Sequence, residues 1–353
     1  GGSALDEKKG VLYVTTGNPK PATYGAHRVN KDLLSNSVIA IDLIKKKIKW
    51  NFQEILHDLW DYDISSPPII HDLKINNHVY EIVIANTKSG NTLILERNTG
   101  KPLYDIYYKN SPKSYFPGEN TSPIQLEIKF PEKFSKIDFS KEDYNSFDTN
   151  KKNEIDKKLY NSKYGWFETP SLSKDLIIFG LHGGAQWHGS ALDPFKQSLY
   201  IPVNNVPWKI RPYAQDISVM SKFTPKNIKI GKDIYFSKCS SCHGIKRNGS
   251  RLKKGEKLIE NIPSLVGITL EDKITNSKFL TKSLMKNKHV INNATKDDLD
   301  KIYEYFKWKD NYLYEDGNIV ISANYSSWSQ FLTDDGLPAS NPPWGYIAKI
   351  NLV

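Results

Sequence analysis

Apolar and polar positions alternate in short runs along most of the chain, a pattern typical of β-strands. Residues 10 to 16, Gly-Val-Leu-Tyr-Val-Thr-Thr, are rich in β-branched and aromatic side chains and end at a Gly-Asn-Pro turn. Residues 36 to 50 contain two such runs joined by a polar turn at 42 to 46. Further strands are predicted at 79–85, 91–95, 175–180, 189–193, 198–203 and 344–352. The pattern therefore predicts a mainly β protein.

Two of the predicted hairpins share an acid, a turn and a following aromatic residue. Asp42 is followed eight residues later by Trp50, and Glu96 is followed eight residues later by Tyr104. The recurrence of such a hairpin at intervals of about 40 to 55 residues favours propeller blades, each of which is a four-stranded sheet. The aromatic side chain would pack between neighbouring blades, and the acid would bond across the turn. Independent hairpins in a β-sandwich are the alternative that this spacing leaves open.

Two regions interrupt the β pattern and suggest the domain organisation. Residues 110–165 are polar and are predicted to be an excursion with one short helix near 151–160. Residues 222–312 read as a separate helical module, and the β pattern returns at 318–353. We therefore expect propeller blades over 1–215 and 318–353, with the module inserted between them.

The module contains Cys239-Ser-Ser-Cys242-His243, the C-x-x-C-H pattern of covalent haem attachment. Two thiols on one helical turn can each bond one haem vinyl group, and the following histidine is placed under the iron. A zinc half-site would need a second ligand pair, but these are the only cysteines in the chain. A thioredoxin-like redox pair would need a βαβ context. The pattern therefore favours haem c held by Cys239, Cys242 and His243.

Helices are predicted on both sides of this motif. One is predicted to open at Gly231, and a second follows the N-cap residue Thr295, with one apolar face. This arrangement resembles a small class I cytochrome c, and the resemblance implies that the Pro263 carbonyl bonds the proximal imidazole. The Met-Pro turn usual in that family does not occur here, so Met285 and His289 are both open as the sixth iron ligand.

Charge and hydropathy narrow the function classes. The formal net charge is +10, but the lysines are spread along the chain and no nucleic-acid-binding motif occurs, so we expect no nucleic acid partner. A basic surface could attract an acidic redox partner.

No apolar run is long enough to span a membrane. The chain opens Gly-Gly-Ser-Ala without a signal peptide. Because covalent haem attachment occurs outside the cytoplasm, we expect a periplasmic protein whose N-terminal part is missing here.

A second chemical candidate is the segment 57–63, His-Asp-Leu-Trp-Asp-Tyr-Asp. Three carboxylates, a histidine and two aromatic residues in seven positions suit a metal site or acid–base chemistry. A solvated acidic turn explains the same composition, and the segment alone does not separate the two interpretations.

Several motifs occur together with this segment in a fixed order. They are Thr-Gly-Asn-Pro at 16–19, the segment 57–63, Thr-Lys-Ser-Gly-Asn at 87–91, Pro-Gly-Glu-Asn-Thr-Ser-Pro at 117–123, Gly-Gly-Ala-Gln-Trp at 183–187 and Pro-Pro-Trp-Gly at 342–345. The set resembles the pyrroloquinoline quinone (PQQ)-dependent dehydrogenases, in particular the membrane-bound glucose dehydrogenase branch. Some members carry an inserted cytochrome c domain. The resemblance implies an eight-bladed propeller, of which about four to five blades are present here, with an inserted all-α cytochrome c domain.

The resemblance also implies roles for individual residues. Asp61 corresponds to the catalytic base and a metal ligand, and Asn18 to a second metal ligand through its side-chain carbonyl. Lys88 corresponds to the cation that bonds the quinone oxygens. Gln186 and Trp187 would line the cofactor, although Gln186 stands where relatives often have Asn. The implied metal is Ca²⁺, and a lanthanide is the alternative if Asp63 is a further ligand.

The implied function is the oxidation of a sugar or alcohol hydroxyl by hydride transfer to PQQ. Electrons would then pass to haem c and on to a downstream cytochrome or quinone pool. The competing interpretation is an electron-transfer cytochrome on a propeller that serves only as a scaffold.

Overall fold

The structure is a computed structural model that describes residues 2–28, 34–116, 119–216, 224–254, 257–270, 294–312 and 321–353. Strands dominate this part of the chain, as predicted. They are β1 Ser3–Asp6, β2 Val11–Thr15, β3 Ser37–Asp42, β4 Lys47–Gln53, β5 Ile69–Ile75, β6 His78–Asn86, β7 Thr92–Glu96, β8 Ile106–Asn110, β9 Ile124–Ile128, β10 Ser162–Tyr164, β11 Asp175–Ile178, β12 Ala191–Asp193, β13 Ser198–Asn204, β14 Trp208–Asp216, β15 Ser250–Lys254, β16 Lys257–Ile262, β17 Ile321–Gln330 and β18 Gly345–Asn351. The α-helices are α1 Thr149–Leu159, α2 Lys226–Lys238, α3 Ser240–His243 and α4 Lys296–Tyr312.

Three antiparallel sheets have the form of propeller blades. Their strand orders are β1-β2-β3-β4, β5-β6-β7 and β12-β13-β18. A fourth sheet, β10-β11-β14-β17, contains one parallel pair between β10 and β11. The described residues thus contain four sheets of three or four strands each. This number is the lower of the predicted four to five blades.

The predicted aromatic residues lie between neighbouring sheets. Trp50, on β4, donates a hydrogen bond from Nε1 to the Arg97 carbonyl at the end of the next sheet, at 2.9 Å. Its ring lies against Gly100, where an added Cβ would come within 2.5 Å of it. Tyr104 repeats the arrangement one sheet later, since its hydroxyl donates to the Leu352 carbonyl at 2.5 Å. The blade interpretation of the hairpin repeat is therefore confirmed for these two positions.

The predicted acids also bond across their turns. Asp42 Oδ1 accepts from the Lys45 amide at 2.8 Å, and Glu96 Oε2 accepts from the Thr99 hydroxyl at 2.7 Å. Each short polar turn is thereby closed by a side chain of its own hairpin.

The excursion after the second blade packs against the fourth sheet. Helix α1 begins after Asp148, whose carboxylate accepts from the Lys151 amide at 2.9 Å. Its buried side chains Ile155 and Leu159 join a core that also contains Phe179 and Phe331. The predicted short helix is therefore present, and the excursion is an ordered layer.

The strands β14 and β17 pair antiparallel, with Asp216 opposite Ile321. The chain therefore leaves the β domain and returns to it along two adjacent strands, and the helical module lies between them in sequence. The insertion of a separate cytochrome c domain at this point stays a prediction. No helix among the described residues is both long enough and apolar enough to cross a membrane.

The module is built around the contact between α2 and α4. Their buried side chains form one core with Ile268, which lies between the two helices in sequence. The helix residues of this core are Ile228, Tyr235, Leu299, Ile302, Tyr303, Tyr305 and Phe306. Thr295 caps α4 as predicted, because its hydroxyl accepts from the Asp298 amide at 3.1 Å while Asp298 accepts from the Thr295 amide at 2.9 Å.

Two predictions about this module are wrong in detail. Helix α2 begins at Lys226 after Pro225, not at Gly231. Gly231 lies inside the helix. A Cβ there would come within 2.0 Å of the Lys301 carbonyl oxygen, so glycine permits the close crossing of α2 and α4. The module is also not all-α, since β15 and β16 form a hairpin.

Candidate active site and haem-attachment site

The loop 57–63 is held in place by the buried carboxylate of Asp58. Its Oδ1 accepts from the Trp60 amide at 2.8 Å, and its Oδ2 accepts from the Tyr62 amide and from Asn36 Nδ2, both at 2.9 Å. Asp61 has a left-handed backbone conformation, with φ of 64°. Asp58 therefore anchors a tight turn that presents the Asp61 side chain.

Burial raises the pKa of Asp58 to about 7. The hydrogen bond from the Trp60 amide opposes this shift, and the nearby Asp61 carboxylate adds to it. The sequence does not predict this role of Asp58. Burial in the turn thus makes its ionised carboxylate less favourable than in water.

Lys88 and Asp61 lie together, as the resemblance implied. Lys88 Nζ donates to the Asp61 carbonyl oxygen at 2.9 Å and to Asp61 Oδ2 at 3.1 Å, and it also donates to Asp63 Oδ2. Burial lowers the pKa of Lys88, but the Asp61 and Asp63 carboxylates outweigh it, so the pKa is raised. A buried ammonium ion therefore lies against the candidate base.

The turn that carries Lys88 rests on a fully buried acid, Glu54. Glu54 Oε1 accepts from the Thr87 hydroxyl at 2.9 Å, from Asn91 Nδ2 at 2.8 Å and from the Ser89 hydroxyl. Burial raises the pKa of Glu54, and the hydrogen bonds from Ser89, Asn91 and Thr87 oppose the shift. The sequence does not predict a role for Glu54, because its partners lie more than 30 residues away along the chain.

Asn18 lies beside the same two acids. Its backbone amide donates to Asp63 Oδ1 at 2.5 Å. Gly17 makes room for this contact, since a Cβ there would come within 2.7 Å of Asp63 Oδ1. The Lys20 ammonium donates to Asn18 Oδ1 at 3.0 Å and lies 3.4 Å from Asp61 Oδ1. One cation thus contacts both predicted metal ligands.

This geometry fits a hard metal ion. Asn18 Oδ1 and Asp61 Oδ1 are oxygen donors within reach of one positive charge, which is the type of ligand that Ca²⁺ takes. Asp63 uses both of its oxygens, one for the Asn18 amide and one for Lys88. Over the described ranges no group of three or more His, Cys, Asp or Glu residues is arranged as a metal cluster.

The turn 183–187 contacts Lys88 through its backbone. Gly184 has φ of 60°, and a Cβ there would come within 2.3 Å of the Lys88 carbonyl oxygen, so the turn can approach only with glycine. Gln186 Nε2 donates to the Gly183 carbonyl of its own turn at 3.1 Å. The Trp187 side chain is 78% exposed. The structure thus places this turn beside Lys88, with Trp187 facing solvent.

His57 is engaged by an acid from the excursion. Its Nε2 lies 2.6 Å from Glu119 Oε1, and Glu119 Oε2 accepts from the Gly25 amide at 2.5 Å. Both side chains are largely buried. The contact joins the loop 57–63 to the motif at 117–123, of which residues 117 and 118 lie outside the described residues.

The haem-attachment motif forms the short helix α3 and the residue before it. Cys239 and Cys242 are free cysteines, and burial raises the pKa of the Cys239 thiol to about 11. His243 Nδ1 donates to the Pro263 carbonyl at 2.9 Å, as the resemblance implied. This bond places the proton on Nδ1, so Nε2 carries the lone pair that an iron ion would take. The residues present therefore fit a covalently bound haem.

A buried ion pair holds the loop after the motif. Arg247 Nη2 donates to Asp310 Oδ1 at 2.6 Å, and both side chains are almost completely buried. The Arg247 carbonyl accepts from the Leu265 amide at 2.8 Å, which ties the loop to the segment after Pro263. Met285 and His289, the two candidates for the sixth iron ligand, lie outside the described residues.

Most of the chain matches one known protein family. The family described as "PQQ: Glucose/ethanol/alcohol dehydrogenase, beta-propeller domain" matches residues 1–250. The glycerol dehydrogenase large subunit of Gluconobacter thailandicus is 30% identical over 227 residues, which cover 62% of this chain and 29% of the relative. The quinoprotein glucose dehydrogenase A of Acinetobacter calcoaceticus is 29% identical over 203 residues, which cover 55% of this chain and 25% of the relative. The chain thus spans less than a third of the length of these relatives.

Among solved structures, the quinohemoprotein alcohol dehydrogenase from Comamonas testosteroni aligns with a TM-score of 0.37 and 21% sequence identity. The alignment covers 60% of this chain and 26% of that protein. The family match extends over well more than half of the 353 residues and includes Asn18, Asp61 and Lys88. The chain belongs to the PQQ-dependent glucose, ethanol and alcohol dehydrogenase β-propeller family.

Proposed function

We propose that the protein oxidises a hydroxyl group of a sugar or alcohol by hydride transfer to PQQ, with Asp61 as the base. The observation that carries this proposal is the contact of Lys88 Nζ with Asp61 at 2.9 Å and 3.1 Å, inside the family's β-propeller. A carboxylate beside a buried ammonium ion is the pair that such an oxidation needs, since one group accepts a proton and the other stabilises negative charge.

Each residue has a distinct part in this reaction. Bound PQQ supplies the hydride acceptor. Asp61 accepts the proton of the substrate hydroxyl, and Asp58 holds the turn in which Asp61 lies. Lys88 is positioned by Glu54 through the turn 87–91, and its ammonium group contacts Asp61 and Asp63. The turn 183–187 lies against the Lys88 backbone and would contact the cofactor with Gln186 or Trp187.

Asn18 Oδ1 and the Asp61 carboxylate would hold a Ca²⁺ ion, which would supply a Lewis acid next to the quinone. We favour Ca²⁺ over a lanthanide because both Asp63 oxygens already accept hydrogen bonds from the protein. A lanthanide would favour Asp63 as an additional charged ligand.

The helical module would carry haem c on Cys239 and Cys242 with His243 as an axial ligand. Its role would be to take electrons from the reduced quinone and to pass them to a downstream cytochrome or quinone pool. Because haem is attached covalently outside the cytoplasm, this role would put the protein in the periplasm. The insertion of the module along β14 and β17 supports one protein with both redox groups.

The alternative function is an electron-transfer cytochrome on a propeller without catalytic activity. The substitution Asp61→Asn separates the two in the full-length protein supplied with PQQ and Ca²⁺. Dehydrogenase activity towards a panel of aldoses, polyols and simple alcohols, measured with an artificial dye acceptor, should fall by about 100-fold or more in this variant. Activity that survives the substitution would exclude Asp61 as the base, and a wild-type protein inactive on the whole panel would favour the alternative.

A further inference from the structure

Asp61 divides its two carboxylate oxygens between two lysines. Lys88 binds Oδ2 and Lys20 lies 3.4 Å from Oδ1. The two lysines differ greatly in burial, since the Lys88 side chain is 7% exposed and the Lys20 side chain is 72% exposed. Lys88 is therefore a fixed part of the site, whereas Lys20 can leave it for solvent at little cost.

The Lys20 ammonium contacts the same two oxygens that the proposed function assigns to the metal ion. It donates to Asn18 Oδ1 at 3.0 Å and faces Asp61 Oδ1. An ammonium ion and a Ca²⁺ ion that share these ligands exclude each other, because two positive charges at one point repel strongly. Lys20 is two residues from Asn18 in the chain, so it stays near the site after it has been displaced.

We propose that Lys20 is a resident cation that competes with the metal ion for Asn18 Oδ1 and Asp61 Oδ1, and thereby lowers the affinity of the site for that metal. The inference rests on the metal site of the proposed function. Because Lys20 is mostly exposed, its ion pair with Asp61 is weak. Its removal should therefore raise the affinity for Ca²⁺ by a factor of about two to five, not by orders of magnitude.

The test is calorimetric titration of Ca²⁺ alone into the full protein after treatment with a chelator. Four proteins are compared: wild type, Lys20→Met, Lys49→Met and Asp61→Asn. Lys49 is an exposed lysine on the outer strand β4 and is the matched control for the loss of one positive charge. A thermal melt of each metal-free variant checks that the fold is intact.

The proposal predicts that Lys20→Met binds Ca²⁺ about two to five times more tightly than wild type, and that Lys49→Met does not differ from wild type. The gain should shrink as salt is added, since the competition is electrostatic. If binding is lost in Asp61→Asn but is equal or weaker in Lys20→Met than in wild type, the inference is wrong and the metal site stands. If no protein binds Ca²⁺ in an Asp61-dependent manner, both the inference and the proposed metal site are wrong.

Discussion

Lys88 and Asp61 are 27 residues apart in the chain, yet Lys88 Nζ bonds both the backbone carbonyl and the side-chain carboxylate of Asp61, at 2.9 Å and 3.1 Å. The first bond fixes the left-handed turn at Asp61, and the second sets the charge beside its carboxylate. One side chain thus contributes to the shape of the loop 57–63 and to its electrostatics.

Lys88→Met should destabilise the protein, because it leaves the Asp61 and Asp63 carboxylates largely buried without their cation. Breaking a buried pair from one side costs about 3 kcal/mol or more. Urea unfolding followed by tryptophan fluorescence measures this loss. Lys49→Met should leave the unfolding midpoint unchanged, and a Lys88→Met protein as stable as wild type would contradict the assigned role.

The pKa of Asp58, raised to about 7 by burial, predicts a pH dependence of stability. An ordinary Asp titrates near a pKa of about 3.9 when unfolded, so between about pH 4 and pH 7 the folded state binds more protons than the unfolded state. The contribution of Asp58 to the free energy of unfolding therefore falls as pH rises through this window, and it is constant above it.

Asp58→Asn removes this titration. It also replaces one of the two carboxylate oxygens, which accept hydrogen bonds from Trp60, Tyr62 and Asn36, by an amide nitrogen that cannot accept them. We expect the variant to have a lower free energy of unfolding than wild type at pH 4. The difference between the two proteins should shrink by a few kcal/mol as pH rises to 7, because the size of the pKa shift sets this change. Urea unfolding at pH 4, 5.5 and 7 measures the gap. A gap independent of pH would contradict the raised pKa of Asp58.

Glu54 should control the order of the turn that carries Lys88. Glu54→Ala removes one acceptor shared by Thr87, Ser89 and Asn91, so amide hydrogen exchange over residues 87–91 should accelerate about tenfold or more. Glu54→Gln keeps an oxygen acceptor and should have a smaller effect. Exchange should be unchanged in α1, which lies outside this network. Equal protection of the turn in wild type and Glu54→Ala would contradict the assignment.

The helical module should bind haem through the three residues of its motif. Cys239→Ser combined with Cys242→Ser should abolish covalent attachment, and His243→Ala should retain the covalent haem but change its axial ligation. Denaturing gel electrophoresis with haem staining tests the first expectation, and the absorbance spectrum of the native protein tests the second. Haem that stays covalently bound in the double variant would show that other residues attach it.

Much of this fold follows from local pattern. The hairpins around Asp42 and Glu96 alternate apolar and polar positions and end in turns that their own acids close, so residues near in sequence determine them. The motif from Cys239 to His243 can be recognised from the sequence for the same reason, because its residues are adjacent in the chain. Asp61, Asn18 and Lys88 could be named because an ordered set of motifs resembles one family, and the structure brings these three residues together.

The residues that were missed depend on contacts between distant segments. Glu54 supports a turn more than 30 residues away, and Glu119 meets His57 across 62 residues. Lys20 looks like one more surface lysine until its distance to Asn18 Oδ1 is known. The sequence predicts that α2 begins at Gly231, whereas this glycine lies within the helix and permits a close approach to Lys301. A pattern of single residues contains no signal for such pairings.

In the proposed function, Asp61 starts an oxidation whose electrons reach the haem on the helical module. The most direct measurement is anaerobic rapid-mixing absorbance at the haem α band, in full-length protein with PQQ, Ca²⁺ and oxidised haem. The account predicts that at least one sugar or alcohol reduces the haem in wild type, and that Asp61→Asn slows this reduction by about 100-fold or more. Substrate-dependent haem reduction at the wild-type rate in Asp61→Asn would contradict the account.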